Sequence, residues 1–117
     1  MKRVYVAGAY SGTNVIEILQ NIGRGEWYAA QIFKLGYSPF APWHDKDFVI
    51  KLWDQELNVE MFYKYSLTWL EVSDIMFLVP GWEKSKGTIE EIKIANKLNI
   101  KIISDLGELN EVHGIKE

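Results

Sequence analysis

Short apolar runs alternate along this chain with longer segments that have the periodicity of a helix. The runs are residues 4–7, 37–40, 75–79 and 100–103. Strands that alternate with helices form βαβ units with parallel strands, and right-handed crossovers then favour the strand order 2-1-3-4. The sequence therefore predicts an α/β fold, a single-domain Rossmann-like or flavodoxin-like, doubly wound and mainly parallel sheet of four or five strands.

The segments between the runs are predicted to be helical. Residues 14–35 should form one long helix that ends before Gly36. Its buried face is predicted to contain Val15, Leu19, Ile22, Ala29 and Phe33. Residues 45–71 are predicted to form one or two helices, residues 88–98 another, and the polar tail after Asp105 a short helix or an edge strand.

Composition and charge exclude several classes of protein. With 117 residues, the chain is expected to form one domain, residues 1–117. A net charge of -3 argues against a nucleic-acid-binding surface, which is normally basic. The absence of cysteine excludes disulfides and thiolate catalysis and fits a cytoplasmic protein. No apolar run approaches the ~20 residues that span a bilayer, so we expect a cytoplasmic domain that binds neither nucleic acid nor a membrane.

Two loops are expected to meet at one ligand crevice. In a sheet of this order the crevice lies beyond the carboxyl ends of the first and third strands, where the winding reverses. Residues 8–12 follow the first strand, and residues 80–87 follow the third and lead into a helix. The start of a helix exposes free backbone N–H groups and a positive dipole, which bind phosphate. Candidate substrate-binding and phosphate-binding residues in these loops are Gly8, Tyr10, Ser11, Gly12, Ser85 and Gly87.

Other roles stay open for the same loops. Ser85 or Thr88 could simply cap the helix, and a cap and a phosphate compete for only some of the free N–H groups. Lys86 could be a solvated surface lysine. Residues 8–12 lack the full G-x-G-x-x-G pattern, and the chain has no Walker lysine. Only the position of this loop at the crevice favours a ligand.

Glu90 and Glu91 are neighbours in sequence, and helical geometry separates them. At about 100° per residue, one face of the predicted helix contains Thr88, Ile92, Ala95 and Leu98. Glu91 lies near the centre of that face, and Glu90 lies nearly opposite. Because burial of a carboxylate is unfavourable unless it has a role, Glu91 is the predicted catalytic residue. The alternative is a glutamate that only stabilises the helix dipole.

Side chains after the second strand are further candidates. The chain has five tryptophans; some of its aromatic rings could stack on a base, but most are expected to lie in the core. Trp43 and His44 are the candidate ligand contacts in this segment, and Asp45 could touch a ligand together with His44. The only two histidines, His44 and His113, are far apart and do not indicate a metal site; neither a metal nor a cofactor is expected. Asp74 begins the third strand, at the end away from the crevice, and is interpreted as a strand-start cap.

Together these motifs resemble the nucleoside 2-deoxyribosyltransferase superfamily over residues 4 to about 103. They are Tyr5-x-x-Gly8-x-Tyr10-Ser11-Gly12, Gly36-Tyr37-x-Pro39-Phe40 and Ser73-Asp74 … Pro80-Gly81-Trp82-Glu83-x-Ser85-Lys86-Gly87 … Glu91. The nearest likeness is to the small phage and bacterial (DUF4406-like) members of unassigned role. The Ser85-x-Gly87-x-x-x-Glu91 spacing is also similar to that of the 2′-deoxynucleoside 5′-monophosphate N-glycosidases.

The resemblance implies a mechanism and a set of roles. Glu91 would attack the anomeric carbon of a (deoxy)nucleoside or its 5′-monophosphate, expel the base and form a glycosyl ester. Water would resolve the ester in a hydrolase, and a second base would resolve it in a transferase. Tyr5 would orient the nucleophile, and Ser85 would bind phosphate. The resemblance also implies a homodimer or larger homo-oligomer, for which the expected interface aromatics are Trp53, Phe62, Tyr63 and Trp69.

One residue departs from the pattern and leaves three functions open. Ser66 stands where the monophosphate glycosidases carry an aspartate that assists the base, and serine is not a general acid near neutral pH. The first function is an N-glycosidase or transferase, with Ser66 in the substrate site. The second is a lonely-guy-type phosphoribohydrolase, whose Pro-Gly-Gly-x-Gly-Thr-x-x-Glu motif resembles Pro80-Gly81 joined to residues 87–91. The third is a nucleotide-binding or sensing module without catalysis, which Ser66 favours.

Overall fold

A computed structural model describes residues 1–116 of the chain and the side chains of residues 1–112. Its four strands are β1 (Arg3–Ala7), β2 (Ser38–Phe40), β3 (Ile75–Leu78) and β4 (Lys101–Ile103). They form one sheet in the order β2-β1-β3-β4, and every neighbouring pair is parallel. The predicted α/β fold and the strand order 2-1-3-4 are therefore confirmed, with four strands in the described chain.

Five α-helices connect and follow the strands in the described chain. They are α1 (Val15–Lys34), α2 (Lys46–Lys51), α3 (Val59–Glu71), α4 (Lys86–Lys97) and α5 (Leu106–Lys116). Short 3₁₀ turns cover Pro42–Asp45 and Trp82–Lys84. The predicted helical region 45–71 is thus two helices, and the tail after Asp105 is a helix. None of these helices is long and apolar enough to cross a membrane.

Alternate side chains of the central strands enter two hydrophobic cores, one on each face of the sheet. One core contains Val4, Val6, Ile75 and Phe77 with Ile32 of α1 and Leu109 of α5. The other contains Tyr5, Ala7, Met76 and Leu78 with Leu70 of α3 and Ala95 of α4. Because both faces are covered, residues 4–7 of β1 and the whole of β3 are buried and largely apolar. The side chain of Tyr5 brings a hydroxyl group into this apolar core. Its position in β1 places that hydroxyl beneath α3 and α4, which cover the same face of the sheet.

The buried face of α1 differs from the prediction. Ile22 and Ala29 are buried as expected, but Val15, Leu19 and Phe33 are 66%, 59% and 68% exposed. The face that packs on the sheet contains Asn21, Ile22, Gly25, Ala29 and Ile32. Compared with this prediction, α1 is rotated about its own axis, because the indole of Trp43 packs directly against Gly25, where any side chain would collide with the ring. This contact joins residues 18 positions apart, so the apolar periodicity of α1 alone did not predict it.

The ends of α1 and the start of β3 follow the sequence-based expectations. The side chain of Asn14 caps α1 and accepts a hydrogen bond from the N–H of Glu17 at 2.9 Å. Gly36 follows the helix with a φ of 99°, a left-handed conformation that glycine adopts without strain. Asp74 Oδ2 accepts a hydrogen bond from the N–H of Arg3 at 2.8 Å. Asp74 therefore joins the amino ends of β1 and β3, at the edge opposite the predicted crevice.

Aromatic side chains that the sequence assigns to an interface are largely exposed. Trp53 is 82% exposed and Trp69 44%, Tyr63 is partly exposed, and Phe62 is half-buried. Trp69 stacks on Phe40, with ring centroids 5.5 Å apart, so part of its surface is already used within the chain. Exposure of this kind is what an interface with a second copy requires. The homo-oligomer stays a prediction.

Two glycines of α1 give a matched test of the contact with Trp43. Gly25→Ala should destabilise the protein by about 1–3 kcal/mol, because the new methyl group overlaps the indole. Gly23 has no atom within 4 Å of the position a Cβ would take. Gly23→Ala should therefore stabilise the helix by about 0.5–1 kcal/mol. Urea unfolding of both variants measures the difference; equal effects of the same sign would contradict the packing of Trp43 against α1.

Candidate functional site

A cleft lies at the carboxyl ends of β1 and β3, where the sequence predicts the ligand crevice. Its volume is about 1120 Å³, which is enough for a nucleotide-sized ligand. Four parts of the chain line it, namely β1 with the loop that follows it, one side of α1, the segment from Pro42 to Ser66, and the loop that joins β3 to α4 with the first turns of α4. Nine residues selected from the sequence line this cleft, namely Tyr5, Gly8, Tyr10, Ser11, Trp43, Ser66, Ser85, Gly87 and Glu91.

Two other selected residues lie outside the cleft. Gly12 faces the start of α1, where a Cβ would come within 2.8 Å of the Glu17 side chain. His44 is on the surface, and its Nε2 lies 3.0 Å from Oε2 of Glu26. Gly12 is close to Glu17 and His44 is close to Glu26, both on α1, and the role of these two residues as ligand contacts stays a prediction. In the described chain no group of three or more His, Asp or Glu could hold a metal ion, and the side chain of His113 lies outside the described residues.

Trp43 forms part of the wall of the cleft, and its side chain is only 1% exposed. Its indole N–H donates to the carbonyl oxygen of Ala9 at 3.0 Å. A Cβ on Gly8 would lie 3.2 Å from the indole and 2.9 Å from Cβ of Val79, so glycine is required there. Trp43 therefore fixes the loop after β1, and it is one of the aromatic rings that lie in the core, as the sequence predicts for most of them.

The loop before α4 combines a helix cap with free backbone donors. Ser85 Oγ accepts a hydrogen bond from the N–H of Thr88 at 3.2 Å, which is the N-cap interaction. The Thr88 hydroxyl donates to the carbonyl oxygen of Gly8 at 3.2 Å and so joins the two loops. The first intrahelical bond runs from the N–H of Ile89 to the oxygen of Ser85. The N–H groups of Lys86 and Gly87 precede that bond, so they lack an intrahelical partner and are available to an anion bound at the helix start.

A buried carboxylate lies one turn further along α4. Glu91 is 9% exposed, and its Oε2 accepts a hydrogen bond from the hydroxyl of Tyr5. Glu90 points to solvent and forms an ion pair with Lys93 at 3.1 Å. The helical periodicity thus placed the two glutamates on the correct sides of α4. The hydroxyl of Ser66, on α3, interacts with the same phenol, so that α3, β1 and α4 meet at one chain of polar groups.

Burial determines the protonation states of Glu91 and Tyr5. Desolvation raises the pKa of Glu91 from its ordinary value of 4.5 to about 7, and the hydrogen bond from Tyr5 partly opposes that rise. Burial and the neighbouring Glu91 raise the pKa of Tyr5 well above its ordinary value. Tyr5 therefore stays protonated and acts as a donor, while Glu91 is partly ionised near neutral pH. A carboxylate in this state, inside a cleft, is characteristic of a catalytic site.

Sequence reasoning missed two polar residues that shape the cleft. The side-chain amide of Asn21 is buried and donates to the carbonyl oxygens of Ser11 at 3.1 Å and Tyr10 at 3.4 Å. Arg24 in turn donates to Asn21 Oδ1 at 3.1 Å and lines the cleft. Asn21 is the one polar side chain on the buried face of α1. A correct assignment of that face would have shown it as an amide in an apolar environment.

Asp45 is a second buried acid, which the sequence named beside His44 as a ligand contact but not as a buried or catalytic group. It lines the cleft, is 9% exposed, and interacts electrostatically with the phenol of Tyr10. Burial raises the pKa of Asp45, while Tyr10 and Lys46 oppose the rise. Burial, followed by the charge of Asp45, raises the pKa of Tyr10. The cleft therefore holds two buried carboxyl groups, each of which interacts with a tyrosine hydroxyl.

The raised pKa of Glu91 makes stability depend on pH. The folded protein binds this proton more strongly than the unfolded chain, so the free energy of unfolding should fall as pH rises from about 4.5 to about 7. Glu91→Gln removes this dependence. Its stability relative to wild type should increase by about 2–3 kcal/mol between pH 5 and pH 8, as measured by urea unfolding. The control is Glu90→Gln, which should show no such trend; a pH-independent effect of Glu91→Gln would contradict the burial of its charge.

Comparisons with known proteins agree with this fold. A family model described as "Domain of unknown function (DUF4406)" matches residues 2–104, and no curated protein sequence matches the chain. The solved structure of a 2-deoxyribosyltransferase from the psychrotolerant bacterium Bacillus psychrosaccharolyticus is similar, with a TM-score of 0.59 and 20% identity over 86% of this chain and 69% of that one. This likeness shows a shared fold. Because the family model matches most of its length, the chain belongs to the DUF4406 family.

Proposed function

We propose that this protein cleaves the N-glycosidic bond of a (deoxy)nucleoside or its 5′-monophosphate and passes the sugar to water or to a second base. The observation that carries the proposal is the buried carboxylate of Glu91, held by Tyr5 in a cleft beside the start of α4. The 2-deoxyribosyltransferase that shares this fold supports the same class of reaction. The motifs shared with that superfamily, from Tyr5 to Glu91, support it independently.

The chemistry follows from the position of Glu91. Its ionised carboxylate attacks the anomeric carbon of the sugar, and the bond to the base nitrogen breaks with its electron pair on the base. Oε2 of Glu91 accepts the hydrogen bond from Tyr5, which leaves Oε1 of Glu91 to act as the nucleophile. The resulting glycosyl ester is then opened by water or by another base. A difficult displacement is thereby divided into two easier ones, as in retaining glycosidases.

The start of α4 supplies a site for a 5′-phosphate. The free N–H groups of Lys86 and Gly87, the hydroxyl of Ser85 and the positive end of the helix dipole face the same part of the cleft. Lys84 and Lys86 also line it and add positive charge. Glu91 is one turn along the same helix, so a phosphate bound at Ser85 keeps the attached sugar close to the carboxylate.

A second candidate function is a nucleotide-binding or sensing module without catalysis. Ser66 favours it, because this hydroxyl stands where related glycosidases carry an acid and here interacts with Tyr5. A lonely-guy-type phosphoribohydrolase is a further alternative. In its motif Pro-Gly directly precedes Gly-x-Gly-Thr, whereas here a 3₁₀ turn, Trp82–Lys84, separates Pro80-Gly81 from Gly87. Release of free base distinguishes the two enzymes from the binding module.

Two adjacent substitutions test the nucleophile. Glu91→Gln should abolish release of base from nucleosides and 5′-monophosphates, because an amide does not displace the base, while ligand binding persists. Glu90→Gln should retain wild-type activity, since that side chain is exposed on the far side of α4. Chromatography of the free base after incubation with a panel of both substrate types gives the answer. Full activity of Glu91→Gln, or an equal loss in both variants, would exclude Glu91 as the nucleophile.

The phosphate site predicts a preference for monophosphates. Titration calorimetry with Glu91→Gln should show a 5′-monophosphate binding at least about tenfold more tightly than its nucleoside, since a charged hydrogen bond contributes ~1.4 kcal/mol or more. Ser85→Gly should reduce this ratio, because glycine preserves the N-cap to within a few tenths of a kcal/mol but lacks the hydroxyl. Equal affinities in the parent variant would remove the phosphate from the proposal and favour a nucleoside transferase.

A further inference from the structure

The strand order gives the cleft two chemically different sides. β1 lies between β2 and β3, so the segment that follows β2 and the loop that follows β3 face each other across the end of β1. The loop after β3 provides the cationic and N–H-rich start of α4. The segment after β2 provides Asp45 and leads into the apolar side chains of Val49, Val59 and Phe62, which line the same cleft. A nucleotide with its phosphate at α4 therefore extends its base toward Asp45.

The surroundings of Asp45 do not account for a buried acid. Tyr10, from the loop after β1, interacts electrostatically with its carboxylate. Lys46 is adjacent in sequence, but its Nζ lies 2.8 Å from Oε2 of Glu26 on α1. Asp45 forms no salt bridge with any described side chain. A carboxyl that is 9% exposed and lacks an ion pair is destabilising unless it is protonated or has a function.

Ser66 adds a second, independent observation. The first step of the proposed reaction leaves negative charge on the base, and a positioned acid normally neutralises it. Ser66 is buried on α3 and interacts with Tyr5, so it supplies no proton to the base. Among the described residues that line the cleft, the remaining acidic side chains are Glu17, Asp45 and Glu91. Glu91 is the nucleophile and Glu17 is exposed at the start of α1, which leaves Asp45.

We propose that Asp45 is the catalytic acid that protonates the departing base, in place of the acid that Ser66 lacks. This inference rests on the N-glycosidic cleavage proposed above. As Oε1 of Glu91 bonds to the anomeric carbon, the bond from that carbon to the base breaks, and its electron pair moves onto the base. The proton of the Asp45 carboxyl passes to a ring nitrogen of the base, which leaves as a neutral molecule, and Asp45 becomes a carboxylate.

The second step restores both groups. Asp45 takes a proton from the attacking water as the water oxygen bonds to the anomeric carbon, and the ester bond to Glu91 breaks with its electrons returning to the carboxylate. Burial raises the pKa of this carboxyl, and a base in the apolar side of the cleft removes its remaining water and favours the protonated form further. Tyr10 keeps the carboxyl oriented in both steps.

Leaving-group dependence tests this role. Asp45→Asn should release base from an unmodified 2′-deoxynucleoside 5′-monophosphate about 10²–10⁴-fold more slowly than wild type. On 7-methyl-2′-deoxyguanosine 5′-monophosphate, whose base is already cationic and needs no proton, the same variant should remain within a few-fold of wild type. Asp47→Asn makes the same charge change at an exposed neighbouring position and should behave as wild type on both. Adding Ser66→Asp to Asp45→Asn should restore at least tenfold of the lost rate, because it returns an acid to the cleft.

Each other outcome has a definite meaning. Wild-type rates in Asp45→Asn on the unmodified substrate would overturn the assignment and leave the proposed function intact. Equal losses on both substrates would overturn it as well, since they indicate that Asp45 only fixes the loop through Tyr10. If wild type releases base from neither substrate, the proposed function fails and this inference fails with it.

Discussion

The hydrogen bond from Tyr5 to Glu91 connects the centre of the sheet to the helix that carries the site. Tyr5 is fully buried in β1, between β2 and β3, so the position of its hydroxyl is set by strand pairing rather than by a loop. Burial at this position raises the pKa of the Glu91 carboxyl group to about 7. A loss of stability as pH rises from about 4.5 to about 7 is typical of active sites, where function and stability are in conflict.

The loops around that pair are held by specific contacts. Thr88 joins the start of α4 to Gly8, Asn21 holds the carbonyl groups of Tyr10 and Ser11, and Trp43 holds Ala9. Each of these partners lies in a different element of the fold. A site supported in this way keeps its geometry without a ligand, which favours both binding and catalysis. The fold alone does not define the reaction, because similar sheets carry many chemistries; the proposal depends on these side chains.

Local patterns predicted much of this structure. The strand order, the separation of Glu90 from Glu91 and the cap by Asp74 follow from periodicity and from topology rules that act over short stretches of sequence. The same patterns do not predict the buried face of α1, the position of His44 or the burial of Asp45. All three depend on how the segment after β2 packs on α1, with Trp43 against Gly25 and Lys46 against Glu26. Contacts of that kind are set by tertiary packing and leave no periodic signal in the sequence.

Trapping the glycosyl ester tests the central claim most directly. A 2-fluoro-2-deoxy nucleotide with a good leaving group forms the ester but is opened slowly, because fluorine destabilises the positive charge that develops on the sugar. Mass spectrometry of the digested protein should then show the fluoro-sugar phosphate attached to the peptide that contains Glu91, and no adduct in Glu91→Gln. Release of base with the adduct on a different residue, or complete turnover of slow substrates with no adduct on any residue, would contradict the account.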